Sequence, residues 1–283
     1  MRASSLLVVV VGLVLSGCGL DTSKIPAHHV YARDGEQVKE GKAVHFAVVG
    51  STRSVLYGVK GEPVVPQEII ADIRAQSPVR GLDFYVFTGG QVRRSTTGEW
   101  VGFTERWSDV LDGDHLSSNK GRKKVLPMPG DGERLGDARL KGYGAAFPDA
   151  GARIGYNRVA SWSHMDVQAG GKTWRLLFLD TNKGALGSRW EEQIFWLPKV
   201  VSGEDFDKLV VFLPDPLLTF SKTHKMNKQG ASKELLDIIE EHSGVMKLQA
   251  VIAGGPPTNE LILPGGNFGE AHVVAGNAGI RMP

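Results

Sequence analysis

An α/β layered domain is what this sequence predicts, on three observations. Short β-rich runs alternate with helical stretches from about residue 44 onward. Those runs end at glycine, proline or a polar turn, as strands buried on one or both faces do. From Gly41 to Pro283 the chain is roughly 240 residues, a length that suits one large layered domain.

In chain order, strands are expected at Val44–Val49, Phe84–Thr88, Val125–Met128, Trp174–Asp180, Leu209–Leu213, Val251–Ala253 and Ala271–Ala275. Helices are expected at Gln67–Gln76, Arg106–Leu111, Arg189–Val201 and Lys233–His242. Ser188 followed three residues later by Glu191 has the spacing of a capping box, which would fix the start of the third helix. Trp190, Ile194 and Leu197 then fall at i, i+4 and i+7 and give that helix one apolar face. Gly171-Lys172-Thr173 lacks the preceding glycine of a phosphate-binding loop and suits a hairpin turn before Trp174. There is no internal repeat and no low-complexity tract.

The first residues carry a different signal. Arg2 is a minimal basic region, Leu6 to Leu15 is an apolar run broken only by Gly12, and Leu15-Ser16-Gly17-Cys18 follows. The run is too short to span a bilayer and has the layout of an export signal. Leu-Ser-Gly-Cys also resembles the bacterial lipobox, which implies acylation of the Cys18 thiol and a mature chain beginning there. The expected organisation is a lipoprotein signal at 1–17, a lipidated cysteine and flexible tether at 18–42, and one domain at 43–283. A further edge strand is possible near Val30 and Tyr31. Gly19 lacks the aspartate associated with inner-membrane retention in enterobacteria, so the expected location is the periplasmic face of the outer membrane.

Composition excludes several classes. Cys18 is the sole cysteine, so no internal disulfide supports the domain. Lys and Arg total 33 against 31 Asp and Glu. That near-balance gives no global reason to expect nucleic acid or an anionic membrane surface as a partner. The eight histidines show no zinc spacing, and there is no serine nucleophile elbow. His45 and His272 fall inside expected strands, and Asp112-Gly113-Asp114-His115 suits a solvated loop.

Four glycine-bearing turns carry the most information: Val48-Val49-Gly50-Ser51-Thr52-Arg53, Phe87-Thr88-Gly89-Gly90, Met128-Pro129-Gly130-Asp131-Gly132-Glu133 and Ile252-Ala253-Gly254-Gly255-Pro256-Pro257. In order and spacing they resemble the calcineurin-like metallophosphoesterase family, whose corresponding loops read Gly-Asp-x-His, Gly-Asp, Gly-Asn-His-Glu and Gly-His-x-His. Leu177-Phe178-Leu179-Asp180-Thr181-Asn182, Gln193-Ile194-Phe195-Trp196-Leu197 and the glycine-rich turn after Val274 resemble further pieces of that family. The resemblance implies two mixed β-sheets stacked as the middle of a four-layer sandwich flanked by helices, with the active-site loops gathered at one edge.

It also implies where two metals would be held, and there the residues depart. Ser51 and Arg53 stand at an Asp and a His position, Gly90 at the bridging Asp, Asp131 at the Asn, Gly132 at a His, Pro214 at a ligand His, and Gly255 and Pro257 at the last two histidines. Glycine and proline offer no side-chain donor, and a guanidinium at Arg53 repels a dication. The sequence therefore points to a pseudo-phosphoesterase: a lipid-anchored binding or assembly module with no cofactor, whose partners are the membrane and an unidentified protein or anionic ligand. Arg53 with Arg93, Arg94 and Lys222 forms a candidate anion site. The alternative is an active metal-dependent phosphoesterase on a reduced site of Asp131, Glu133 and Asp215. No residues suggest a metal-free hydrolase.

Overall fold

The computed structural model describes residues 20–27, 37–39, 44, 46–50, 52, 83–112, 125–148, 161–219, 229–244, 247–255, 259–262 and 271–275. Two stacked sheets form its centre. The smaller holds β2 (Phe46–Val49), β3 (Phe84–Phe87) and β4 (Val125–Pro127), all parallel. The larger has the order β1-β5-β6-β7-β8-β10-β9, built from β1 (Gln37–Lys39), β5 (Ser163–Ala169), β6 (Lys172–Phe178), β7 (Lys208–Leu213), β8 (Leu248–Ala253), β9 (Asn259–Ile262) and β10 (Ala271–Ala275). Its β5–β6 and β9–β10 pairs are antiparallel and the other pairs parallel.

Period-two alternation explains the stacking. In β3, Phe84 and Val86 face the larger sheet while Tyr85 and Phe87 face outward, and all four are buried. In β7, Val210 and Phe212 face inward while Leu209, Val211 and Leu213 face outward. Phe46 stacks on Phe84 at 5.4 Å and meets Phe212 of the opposite sheet edge-on at 5.8 Å, so one ring joins both sheets. Outward faces are covered by helices. On the smaller sheet lie α1 (Thr97–Arg106), α2 (Ser108–Asp112) and α4 (Lys141–Ala146), with α3 (Asp131–Arg134) between them in sequence. On the larger lie α6 (Arg189–Val201) and α7 (Gln229–Ser243), preceded by the single turn α5 (Lys183–Leu186). The expected mixed α/β sandwich is thus present, and the expected hairpin turns at Gly170 and Gly171.

Several boundaries moved for physical reasons. Helix α1 starts nine residues before the expected Arg106–Leu111 helix. Its Gly98 and Gly102 lower helix propensity, but Thr96 accepts a hydrogen bond from Glu99 N at 3.3 Å and caps it. Burial of Trp100, Phe103 and the following Trp107 among Phe87, Tyr143 and Phe147 supplies the rest. Ser188 does not cap α6: it has helical backbone angles and no side-chain cap bond, because the preceding turn at Gly187 already feeds the helix. Strand β5 was not expected, since Ser163, His164, Asp166 and Gln168 make it polar. The expected helix at Gln67–Gln76, the strand near Val30 and Tyr31, His45 and the Asp114-His115 loop lie outside the described residues.

The stretch read as a tether also contributes packed structure. Leu20 and Ile25 join the apolar cluster of α1 and α4, and the 3-10 turn Thr22–Lys24 sits between them. Asp21 N donates to Thr97 Oγ1 at 2.6 Å, and that hydroxyl donates back to Asp21 O at 3.2 Å. Further along, Gln37 to Lys39 adds a parallel strand beside β5.

Asp166 in β5 is buried because Arg175 of β6 meets it with two nitrogens, at 2.8 and 2.7 Å. The same guanidinium reaches Asp205 at 2.7 Å and the Val200 carbonyl at 2.6 Å, and lies over the Phe206 ring. Burial opposes its charge, yet the two aspartates hold its pKa above the ordinary arginine value. Replacing Arg175 by Met should cost about 3–5 kcal/mol by leaving Asp166 buried and unpaired, read as a lower urea midpoint. Arg175→Lys should recover less than half, because an ammonium cannot make the bidentate contact.

Candidate functional site

The C-terminal ends of β2, β3, β4, β6, β7, β8 and β10 gather at one edge of the sandwich. Backbone bonds chain the first turns together: Thr88 N donates to Val49 O at 3.1 Å, Met128 N to Phe87 O at 2.8 Å, and Gly254 N to Leu213 O at 3.0 Å. All four glycine-bearing turns therefore meet where the sequence places them.

They meet backbone against backbone. A Cβ on Gly89 would lie 3.1 Å from Gly130 Cα and 3.4 Å from Pro214 Cβ. One on Gly130 would lie 3.2 Å from Gly90 N. At Gly254 a Cβ would overlap the Thr88 carbonyl oxygen, at Gly50 the Ala275 carbonyl oxygen, and at Gly132 the Val92 carbonyl oxygen. Gly89 and Gly90, at φ 95° and 71°, take left-handed backbone that favours glycine. Gly255 also has positive φ.

One carboxylate closes this edge. Glu133 is fully buried, and its oxygens accept from Gly130 N at 2.7 Å, Val92 N at 2.9 Å and Gly90 N at 3.1 Å. Burial pushes its pKa above the ordinary glutamate range, while the backbone N–H groups of Val92, Glu133, Gly130 and Gly90 pull it back. The bonds pin the second loop to the third.

The other acids at the edge also face protein donors. Arg134 and Asp180 form a buried ion pair. Gln193 of α6 brackets Asp180, accepting from its N and donating to its O, both at 2.9 Å. Thr181 Oγ1 donates to Asp215 Oδ2 at 2.9 Å, and Ser232 Oγ to Asp215 O at 3.0 Å. Asp131 is exposed at the first position of α3.

The dinuclear centre implied by the resemblance does not fit these residues. Two metals about 3.5–4 Å apart need convergent lone pairs, whereas backbone N–H groups converge here on the buried carboxylate of Glu133. Among the described residues no three His, Cys, Asp or Glu side chains gather as a metal set. Asp131, Glu133 and Asp215 in particular are not assembled as one. At Gly132 a histidine would collide with Val92 O, and Gly90, Pro214 and Gly255 add no donor. Ser51, Arg53 and Pro257 lie outside the described residues.

The candidate anion site is not assembled by the described residues. Arg93 and Arg94 are both exposed; Arg93 pairs with Glu99 at 3.2 Å, and Arg94 flanks Gly136. Arg53 and Lys222 lie outside the described residues. Sequence reasoning missed the clamp made by Glu133, although its place three residues after Gly130 was the available signal. It also missed the Arg134–Asp180 pair, which spans 46 residues. At the opposite edge the sheets part around an apolar cavity of about 420 Å³ lined by Phe46, Trp174, Val210 and Ile252 among others. Its apolar side chains offer neither a metal ligand nor a phosphate donor.

No family model matches the sequence, and no curated protein matches it. Solved structures do. A dimetal phosphatase from Danio rerio superposes with a TM-score of 0.57 over 82% of this chain and 87% of its own, at 11% identity. GAP50, the anchor in the inner membrane complex of Plasmodium, superposes with a TM-score of 0.54 over 83% of this chain and 72% of its own, at 16% identity. The fold is that of the metallophosphoesterases. At these identities the likeness is one of fold alone.

Two outcomes test the closed edge. Installing Gly90→Asp, Gly132→His and Gly255→His together should lower the melting temperature and create no binding of manganese or zinc by titration calorimetry. Glu133→Gln should cost about 3 kcal/mol by setting an amide NH₂ against backbone donors. The pH dependence has a definite sign. The folded state holds the Glu133 proton more tightly than the unfolded state, so this group's contribution is complete below the ordinary glutamate range. It is lost as pH rises through the raised folded value. Subtracting the Glu133→Gln stability profile from that of the parent should leave a component that falls with pH.

Proposed function

We propose that the chain is a lipid-anchored cell-envelope protein that uses a metallophosphoesterase scaffold for binding or assembly rather than metal-centred hydrolysis. The observation carrying this reading is the closed edge: glycine backbone fills the space of the ligand loops, and Glu133 faces N–H donors. Degeneracy of the site, export through residues 1–17 and acylation of Cys18 are parts of the same proposal. So is a domain running from about residue 43, onto which residues 20–27 and 37–39 pack, together with a place at the periplasmic face of the outer membrane. A protein of this fold described as an anchor in a membrane complex offers a precedent in kind. Among the described residues no helix is long and apolar enough to cross a membrane; attachment in this reading is through the lipid on Cys18.

The test pairs two measurements. The full chain, extracted from membranes without chelators and dialysed against manganese and zinc, should hold near-zero metal by elemental mass spectrometry and should not turn over phosphate esters. One or two tightly held ions, with turnover abolished by Asp131→Ala, would establish the enzyme reading instead. Intact mass should show a diacylglyceryl addition at Cys18, absent from Cys18→Ser, and that variant should leave the membrane fraction.

A further inference from the structure

The chain docks onto its own domain almost immediately after Cys18. Leu20 packs on the apolar cluster of α1 and α4, and Asp21 is bonded through both its backbone N and O to Thr97 at the start of α1. Only Gly19 and Leu20 separate Cys18 from Asp21, three Cα-to-Cα steps with a reach of about 11 Å at full extension. Any anchor on Cys18 therefore holds the start of α1 next to the bilayer, with no slack for the domain to turn over.

The surface found there has the chemistry of a headgroup contact. Ser95 N donates to Leu135 O at 2.9 Å, and Ser95 Oγ donates to Asp137 at 3.2 Å. Asp137 accepts from Gly142 N at 2.8 Å, and Trp100 Nε1 donates to Ser95 Oγ at 2.9 Å. These bonds join the loop before α1, the loop after α3 and the first turn of α4 into one platform. From it project Arg94, Arg139 and Lys141, all exposed, and Leu135, whose side chain is 56% exposed. None of the three cations pairs with a carboxylate among the described residues. Two neighbouring cations are already matched, Arg93 by Glu99 and Lys24 by Asp21, and Asp131 is the exposed acid closest in sequence.

We propose that this platform is the membrane-facing surface of the protein, with Arg94, Arg139 and Lys141 on the phosphates of an anionic bilayer and Leu135 at the headgroup boundary. The inference rests on acylation of Cys18, and adds to it a fixed orientation. Short reach and positive charge unmatched among the described residues together select a lipid surface as occupant, since basic side chains near an anionic leaflet are attracted within a Debye length. The opposite outer layer, carried by α6, then faces away and presents its exposed Phe195, 72% accessible, to whatever partner the protein holds.

The experiment uses the full lipidated chain in vesicles of phosphatidylcholine and phosphatidylglycerol, with an environment-sensitive label on Leu135→Cys or on Phe195→Cys and a quencher attached to lipid headgroups. Quenching should be at least several-fold stronger at 135 than at 195, and Arg94→Glu with Arg139→Glu and Lys141→Glu should reduce it at 135 while the chain still floats with the vesicles. Equal quenching at the two positions, or stronger quenching at 195, on a chain whose mass carries the lipid overturns the orientation and leaves the anchor standing. A mass without the lipid overturns both, because the short leash is then gone.

Discussion

The edge of the sandwich depends on how closely four turns approach one another. With glycine at 89, 130, 132 and 254, backbone atoms take the volume that side chains would need, and the approach is too close for a Cβ without displacement. Glu133 makes that approach stable. Its buried oxygens receive three N–H groups that would otherwise lose their hydrogen bonds on leaving water. A cation at the same point would face those N–H groups instead of lone pairs. Closing the edge and keeping a metal centre are therefore competing solutions, and among the described residues the edge is closed.

The closed edge is connected to both helix layers. Arg134, next to Glu133, pairs with Asp180 at the end of β6, and Gln193 of α6 locks Asp180 from the other side. Asp215 ties the end of β7 to Thr181 and to Ser232 of α7. Glu133, Asp180 and Asp215 each have a partner on a different element, so the loops are held by directional bonds spread over both sheets. That arrangement ties the strand-end loops to one another and to the helices behind the larger sheet.

The legible parts of this molecule were those written locally. Strands such as Phe84–Phe87 and Lys208–Leu213 announce themselves by continuous apolar runs, and α6 by Trp190 and Leu197 on one face. The four turns were legible because glycine after a strand has few other uses. What escaped was set by distant partners. Strand β5 reads as polar until Arg175 is seen to neutralise Asp166, and α1 reads as glycine-weakened until its aromatics meet Tyr143 and Phe147. At the site, the empty ligand positions were visible as letters. That the vacated volume is taken up by neighbouring backbone followed only from the approach of Gly89 to Gly130 and of Gly132 to Val92.

The docked N-terminal segment bears on what an anchor at Cys18, as proposed, would do. A long flexible tether would leave a domain free to tumble beside the bilayer, and any face could serve a partner. Here Asp21 is fixed to Thr97, and Leu20 and Ile25 are seated in the same apolar cluster as Trp100 and Tyr143. Freeing the segment would expose those side chains and strip two hydrogen bonds, so orientation is stabilised by the same contacts that stabilise the helix layer. If the proposed acylation of Cys18 holds, a segment fixed in this way ties the domain to one stance at the bilayer, and the surfaces of α6 and α7 on the far side of the larger sheet are the ones that stance leaves facing outward.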